Sequence, residues 1–240
     1  MNAPREDADV ETSSEDYARR FAGPVGRFFL DVQARGTREL LAPWPGASVL
    51  DVGGGHGQVA GPLADAGYGV TVAGSDPCCI ARVRDLVDAG RARFETVDLL
   101  SLPFPDKSFD VALSYRLLPH VTRWAELVRE LSRVARHAVL VDYPTRRSIN
   151  ALAEPLFGLK KGVEGNTRPF TVFSDAEIEA AFAAHGFHPT QRRPQFFWPM
   201  ALHRALGLAS LARGLEGIAA LLGLRRLLGS PVILRLERRT

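Results

Sequence analysis

The chain has 240 residues, 46% of them apolar and 24% charged, with a formal net charge of +3. Such a chain can bury a core of its own, its 22 glycines and 16 prolines show no period, which excludes collagen-like and low-complexity classes, and the weak charge excess requires no nucleic-acid partner, so none is expected. The two cysteines, Cys78 and Cys79, are adjacent, and no CxxC pair or Cys/His cluster offers a zinc site, so no metal and a reducing cytoplasm are expected.

Residues 1–16 are polar and acidic, predict a disordered tail and lack the apolar stretch of a secretory signal. Apolar spacing from Tyr17 to Leu41 predicts two helices broken at Gly23-Pro24. Strands are expected at Ala47–Val52, Val70–Gly74, Arg93–Val97, Asp110–Ser114 and Ala138–Asp142. Helices are expected between them at Gln58–Ala66, Cys78–Ala89 and Trp124–Ala135. After this the rhythm changes. Residues 145–173 read as irregular, Ser174 with Glu177 marks a helix start, and Gln191–Phe197 and Val232–Leu236 complete the strands. His185, His188 and His203 read as surface or helix-end groups.

The stretch 200–229 is helical. Its arginines 204, 213, 225 and 226 interrupt any membrane span, which needs about 20 apolar residues. They would suit a peripheral membrane contact, with an ordinary packing or dimer helix as the plainer alternative. Short apolar strands alternating with helices imply an α/β fold: a doubly wound, seven-stranded, mostly parallel sheet with helices on both faces. A single domain over 17–240 is expected, with its core at 47–144. The helices of 17–41 and the inserts 145–173 and 200–229 read as lid and substrate elements.

The most informative segment is Asp51-Val52-Gly53-Gly54-Gly55-His56-Gly57, a strand, a glycine turn and the start of a helix. In open α/β sheets ligands bind at such strand ends. The dinucleotide pattern G-x-G-x-x-G fails here, because Gln58 or His56 falls on a required glycine. The pattern present is Asp-x-Gly-x-Gly-x-Gly, on Asp51, Gly53, Gly55 and Gly57. It resembles the first motif of the class I S-adenosylmethionine-dependent methyltransferases, and an acid there suits a cationic ligand.

Further residues extend the resemblance, which runs from about Val49 to Tyr143 and is similar to the type 11 methyltransferases. Leu102-Pro103-Phe104-Pro105-Asp106 leads into strand four as in that family, and Trp124–Val134 is similar to the helix that follows. The resemblance implies a Rossmann-like methyltransferase fold with S-adenosyl-L-methionine as cofactor and S-adenosyl-L-homocysteine as product. It implies cofactor contacts from Asp51, Gly53, Gly54, Gly55 and Gly57. Asp76, followed by Pro77, would take the ribose hydroxyls, and Asp98 and Leu99 would meet the adenine. Ser114 and Tyr115 would meet the methionine part. Each acid also has a plainer role, Asp76 as a helix cap and Asp98 as a turn residue. The run Ser114-Tyr115-Arg116-Leu117 departs from the (D/N/S)-P-P-(Y/F) pattern of enzymes acting on planar amino groups, which argues against DNA adenine or protein glutamine as acceptor.

Methyl transfer from a sulfonium needs positioning more than a catalytic constellation, so the acceptor is open between O, N and C. His120 is a candidate general base for a hydroxyl acceptor. Tyr17, Phe21, Arg116, Phe170 and Trp198 are candidate substrate and lid residues, with Leu156 and Phe157 adding apolar surface and Gly162 and Gly165 a hinge. The expected partner is a small hydrophobic metabolite, with the protein a monomer or homodimer. An NAD(P)-dependent oxidoreductase and a non-catalytic S-adenosylmethionine-binding module are the alternatives.

Overall fold

The computed structural model describes residues 6–149 and 170–239. Seven strands form one sheet: β1 Ser48–Val52, β2 Gly69–Gly74, β3 Ala92–Thr96, β4 Phe109–Ser114, β5 Ala135–Tyr143, β6 Phe187–Pro194 and β7 Val232–Arg238. Their order is β3-β2-β1-β4-β5-β7-β6. The pairs among β1 to β5 are parallel, while β7 runs antiparallel to both β5 and β6. The doubly wound, mostly parallel sheet is therefore present, and strand order reverses beside β1, between β2 and β4.

Alternation along each strand sorts side chains onto two faces. Leu50, Val52, Ala112, Val139 and Val141 join one core with helix Trp124–Val134. Val49, Val72, Leu113, Leu140 and Tyr115 join the other, under Leu40 and Leu41 of the helix Gly23–Leu41. That 19-residue helix (α3) starts where expected, at Gly23 with φ +72° and Pro24 in its first turn. It follows a short helix, Glu15–Arg19 (α2). A third core joins Phe21, Val25, Phe28 and Phe29 to Phe196 and Ala212, so the N-terminal helices and the 200–229 stretch pack on each other. That stretch is three helices, Met200–Leu206, Ala209–Leu221 and Leu224–Leu228, broken at Gly207 and Gly223, both in the left-handed region. Exposed large apolar side chains gather there, Leu221 and Leu222 foremost.

Several expectations need correction. The tail is not disordered throughout: Ala8–Thr12 is a helix (α1), with Ala8 and Asp9 buried. Composition gave no sign of this because its anchor is a distant one. The Asp9 carboxylate accepts from the Ser75 amide at 2.8 Å and from the Ser75 hydroxyl. The helix expected at Cys78–Ala89 splits into a 3-10 turn, Pro77–Ile80, and a helix, Arg84–Asp88. β6 begins earlier than expected because it is an edge strand, mostly polar and bulged between Pro189 and Gln191, with little apolar alternation to read. His203 is fully buried, its Nε2 2.9 Å from Glu216. The capping box of Ser174 and Glu177 is present as expected. Within the 145–173 insert, residues 150–169 lie outside the described residues, Leu156, Phe157, Gly162 and Gly165 among them.

The loop before β4 is held by charge. Glu130, 5% exposed, accepts from the Leu102 amide at 2.9 Å and from Arg133 at 2.8 Å. Arg133 in turn donates to the carbonyls of Leu102 and Phe104. Glu130→Ala strips a buried amide and a guanidinium of their acceptor. It is expected to cost about 2–4 kcal/mol in urea unfolding, and a loss below about 1 kcal/mol contradicts this account of the loop.

Candidate functional site

β1 ends in the middle of the sheet, with β2 on one side and β4 on the other. Asp51 is its penultimate residue, and alternation with Val49 turns its side chain toward the α3 face. It is fully buried, and among the described residues neither carboxylate oxygen has a hydrogen-bond partner. Burial, then the charge of Asp142, raises its pKa from 3.8 to about 7. Gly53 and Gly57 both hold φ near +70°, at +75° and +70°, on either side of a single 3-10 turn, Gly54–His56. A Cβ on Gly54 would strike the Asp51 carboxylate, and one on Gly55 would strike the Ser13 hydroxyl and the Cys79 carbonyl. The bare backbone here is thus required by the chain's own packing around Asp51 and beneath the N-terminal segment.

Asp142 ends β5 as Asp51 ends β1, on the same face. It is 3% exposed, and burial raises its pKa to about 6 against the lowering effect of Arg116. Its carboxylate accepts from the Arg116 amide at 2.6 Å and from Gln33 of α3 at 3.4 Å. Arg116 has φ +59°, a conformation that is costly for a side-chain-bearing residue. Its guanidinium donates to Gln33 Oε1 at 3.1 Å and lies 4.0 Å over the Phe21 ring. His56 is buried alongside. Burial, with Arg116 next in weight, lowers its pKa to about 3, so its ring is neutral.

The structure brings several of the candidate residues together. Asp51, the glycines, Arg116 and Phe21 meet at the ends of β1, β4 and β5, and the Tyr17 ring packs at a tilt against that of Phe21 with centroids 5.7 Å apart. Ser114 is buried and donates to the Val52 carbonyl at 2.9 Å. Tyr115 turns into the α3 face, its hydroxyl 3.0 Å from that of Thr37. Asp76 is exposed, with one oxygen accepting from the Cys78 amide at 2.8 Å as the cap of the turn begun by Pro77. Asp98, half-buried, accepts from the Leu100 amide, and Leu99 is fully buried. Both acids therefore fill the plainer roles foreseen for them, as a cap and as a turn residue.

The His120 ring lies 5.5 Å from that of Phe170, and the Thr171 amide donates to the Pro119 carbonyl at 2.8 Å. Phe170 is 62% exposed. Trp198 is half-buried on Phe197, its amide donating to Glu216. Sequence reasoning passed over Asp142, Gln33 and Asp9. Asp142 had a readable signal, a lone acid closing an apolar strand just as Asp51 does. Gln33 and Asp9 had none.

Residues 50–141 match the family described as a methyltransferase domain. The chain is similar to an uncharacterized methyltransferase of Mycobacterium avium, 37% identical over 91 residues, which are 38% of this chain and 36% of that protein. It is also similar to the 2-methyl-6-phytyl-1,4-hydroquinone methyltransferase of Synechocystis, 39% identical over 94 residues, which are 38% of this chain and 30% of that one. The similarity thus spans about a third of the length of these curated relatives. In fold it resembles the magnesium protoporphyrin IX methyltransferase of Synechocystis with bound SAH, with a TM-score of 0.67 at 14% identity over 93% of both chains. It resembles the cyclase SpnF as well, with a TM-score of 0.59 at 21% identity over 86% of this chain and 81% of that one.

The two buried carboxyls hold their protons more tightly folded than unfolded, where the ordinary value is 3.8. The stabilisation they give is complete below that pH and is lost as pH rises through 6 and 7. Asp51→Asn removes the larger charge cost. Its melting temperature is expected to exceed that of the ligand-free wild type by a margin that grows from about pH 5 to about pH 8. A margin that shrinks with pH contradicts the assignment.

Proposed function

We propose that this chain, whose residues 50–141 match a methyltransferase domain, is an enzyme of the class I S-adenosylmethionine-dependent type, transferring a methyl group from S-adenosylmethionine to a small hydrophobic acceptor, with S-adenosylhomocysteine left behind. The observation that carries this reading is Asp51, a buried carboxylate with no partner for either oxygen, at the strand end where a glycine turn opens. A buried unpaired acid is costly unless a cation reaches it. A sulfonium cofactor is such a cation, whereas the pyrophosphate of a nicotinamide dinucleotide would meet the acid as a like charge.

When bound, S-adenosylmethionine supplies a methyl group already activated on sulfur. What remains for the protein is to bind, orient and keep out water. Gly53, Gly54, Gly55 and Gly57 would border the cofactor with bare backbone, and Asp51 would compensate its positive charge. Asp76 would accept from the ribose hydroxyls beside Pro77, and Asp98 and Leu99 would meet the adenine. Ser114 and Tyr115 hold the end of β4, and so the wall beside the methionine part.

Arg116 and Phe21 form a packed corner at this end of the sheet, with Tyr17 behind Phe21. This corner, with Phe170 and His120 in contact after β4 and Trp198 just before the helical stretch, would offer apolar and aromatic surface for the acceptor. His120 would take the proton if the acceptor is a hydroxyl. Two proteins similar to this chain are named for hydrophobic acceptors, a phytyl-hydroquinone and a magnesium porphyrin, which supports the same class here.

Asp76→Asn separates the cap from the charge, because asparagine still accepts from the Cys78 amide. The variant is expected to melt like the wild type. It should bind S-adenosylhomocysteine roughly 10–100-fold more weakly in calorimetry, the loss of one or two charge-assisted bonds. Wild-type affinity would remove Asp76 from the site.

A further inference from the structure

On the side of α3 away from Asp142, a half-open cavity of about 340 Å³ lies between α3, the end of β6 and the last two helices of the 200–229 stretch. Five arginines line it: Arg35 from α3, Arg192 and Arg193 from β6, and Arg225 and Arg226 from the final short helix. No aspartate or glutamate is among its lining residues. Arg192 and Arg193 have counter-charges outside it, in Asp175 and Glu39. Among the described residues no carboxylate pairs with Arg35, Arg225 or Arg226. Arg193 feels the crowding: burial, then Arg225 and Arg35, lower its pKa below the ordinary arginine value.

A second, independent feature points to a ligand. Gln195 lines this cavity and a smaller one of about 220 Å³ beside it. It is only 3% exposed, and its side-chain Nε2 has no acceptor among the described residues. A buried amide donor without a partner is as costly as it is rare, and here it borders the same space as the unpaired guanidiniums. The smaller cavity has Asp31 and Glu216 in its wall. Glu216 is already engaged by His203 and by the amides of Phe197 and Trp198.

We propose that this cavity is a second binding site, separate from the glycine turn, for a phosphate-bearing ligand. Planar guanidiniums and an amide N–H are the donors that match tetrahedral oxyanions, and the volume exceeds that of a bare phosphate, leaving room for the organic part of an ester. The geometry of α3 keeps the two sites distinct. Gln33 and Thr37 reach Asp142 and Tyr115, while Val32, Arg35 and Gly36 border the cavity. The ligand can be a soluble phosphate ester or a phospholipid headgroup, since both present the same anion.

The test compares the full chain with Arg35→Gln/Arg225→Gln and with Gln195→Leu, in phosphate and in chloride at matched ionic strength. Phosphate is expected to raise the wild-type melting temperature by roughly 2–4 °C over chloride. The double variant, relieved of like-charge crowding, is expected to melt higher than wild type in chloride and to lose the phosphate response. Gln195→Leu keeps the volume and weakens the response. Flotation with phosphatidylglycerol or phosphatidylcholine vesicles separates the sources. Retention on the anionic vesicles alone, lost in the double variant, supports a headgroup. A phosphate response without retention supports a soluble ester. An equal effect of phosphate and chloride, or an intact response in the double variant, overturns the site.

Discussion

The carboxylate of Asp51 is the constraint around which this end of the molecule is built. It sits on the strand where the sheet's order reverses, with both oxygens buried and, among the described residues, unpartnered. A free acid of that kind costs several kcal/mol to bury as an ion. The ligand-free chain meets that cost by holding the proton, and the raised pKa is its signature. Gly54 must lack a side chain because Asp51 occupies the space a Cβ would need. The turn's shape thus follows from the acid as much as from any ligand above it.

The neighbouring elements follow in turn. Asp142 closes β5 on the same face and would add a second uncompensated charge. Instead it bonds the Arg116 amide and Gln33, and the Arg116 guanidinium stands close enough to lower its pKa. Those bonds hold Arg116 in its left-handed conformation and lay its guanidinium on Phe21. Through Phe21 the N-terminal helices join the core shared with Phe196 and Ala212. On the other side α1 ties itself to the residue after β2 through Asp9 and Ser75, one residue before Asp76.

Much of this was legible in the sequence. Four of the five parallel strands declared themselves as short apolar runs, β3 (Ala-Arg-Phe-Glu-Thr) being the polar exception, Asp51 and its glycines declared themselves as a turn, and Ser174 with Glu177 as a cap, because each is a local pattern. The edge strand β6 was harder to place, since a mostly polar edge carries little apolar alternation. Asp9 and Gln33 were not legible, because nothing local marks a residue whose partner lies 66 or 109 positions away. His203 looked like a surface histidine until Glu216 supplied its partner from the next helix. The arginine-lined cavity was visible only as scattered basic residues, Arg35, Arg192 and Arg225 being far apart along the chain.

The most direct test of the account is the pH dependence of S-adenosylmethionine binding, measured by calorimetry on the wild type and on Asp51→Asn. A sulfonium should displace the proton from Asp51. The wild-type affinity is therefore expected to rise with pH through about 7 and to level off above it, with a weaker rise for uncharged-sulfur S-adenosylhomocysteine and none for the variant. Binding that is independent of pH, or that is unchanged in Asp51→Asn, would contradict the place given to this carboxylate.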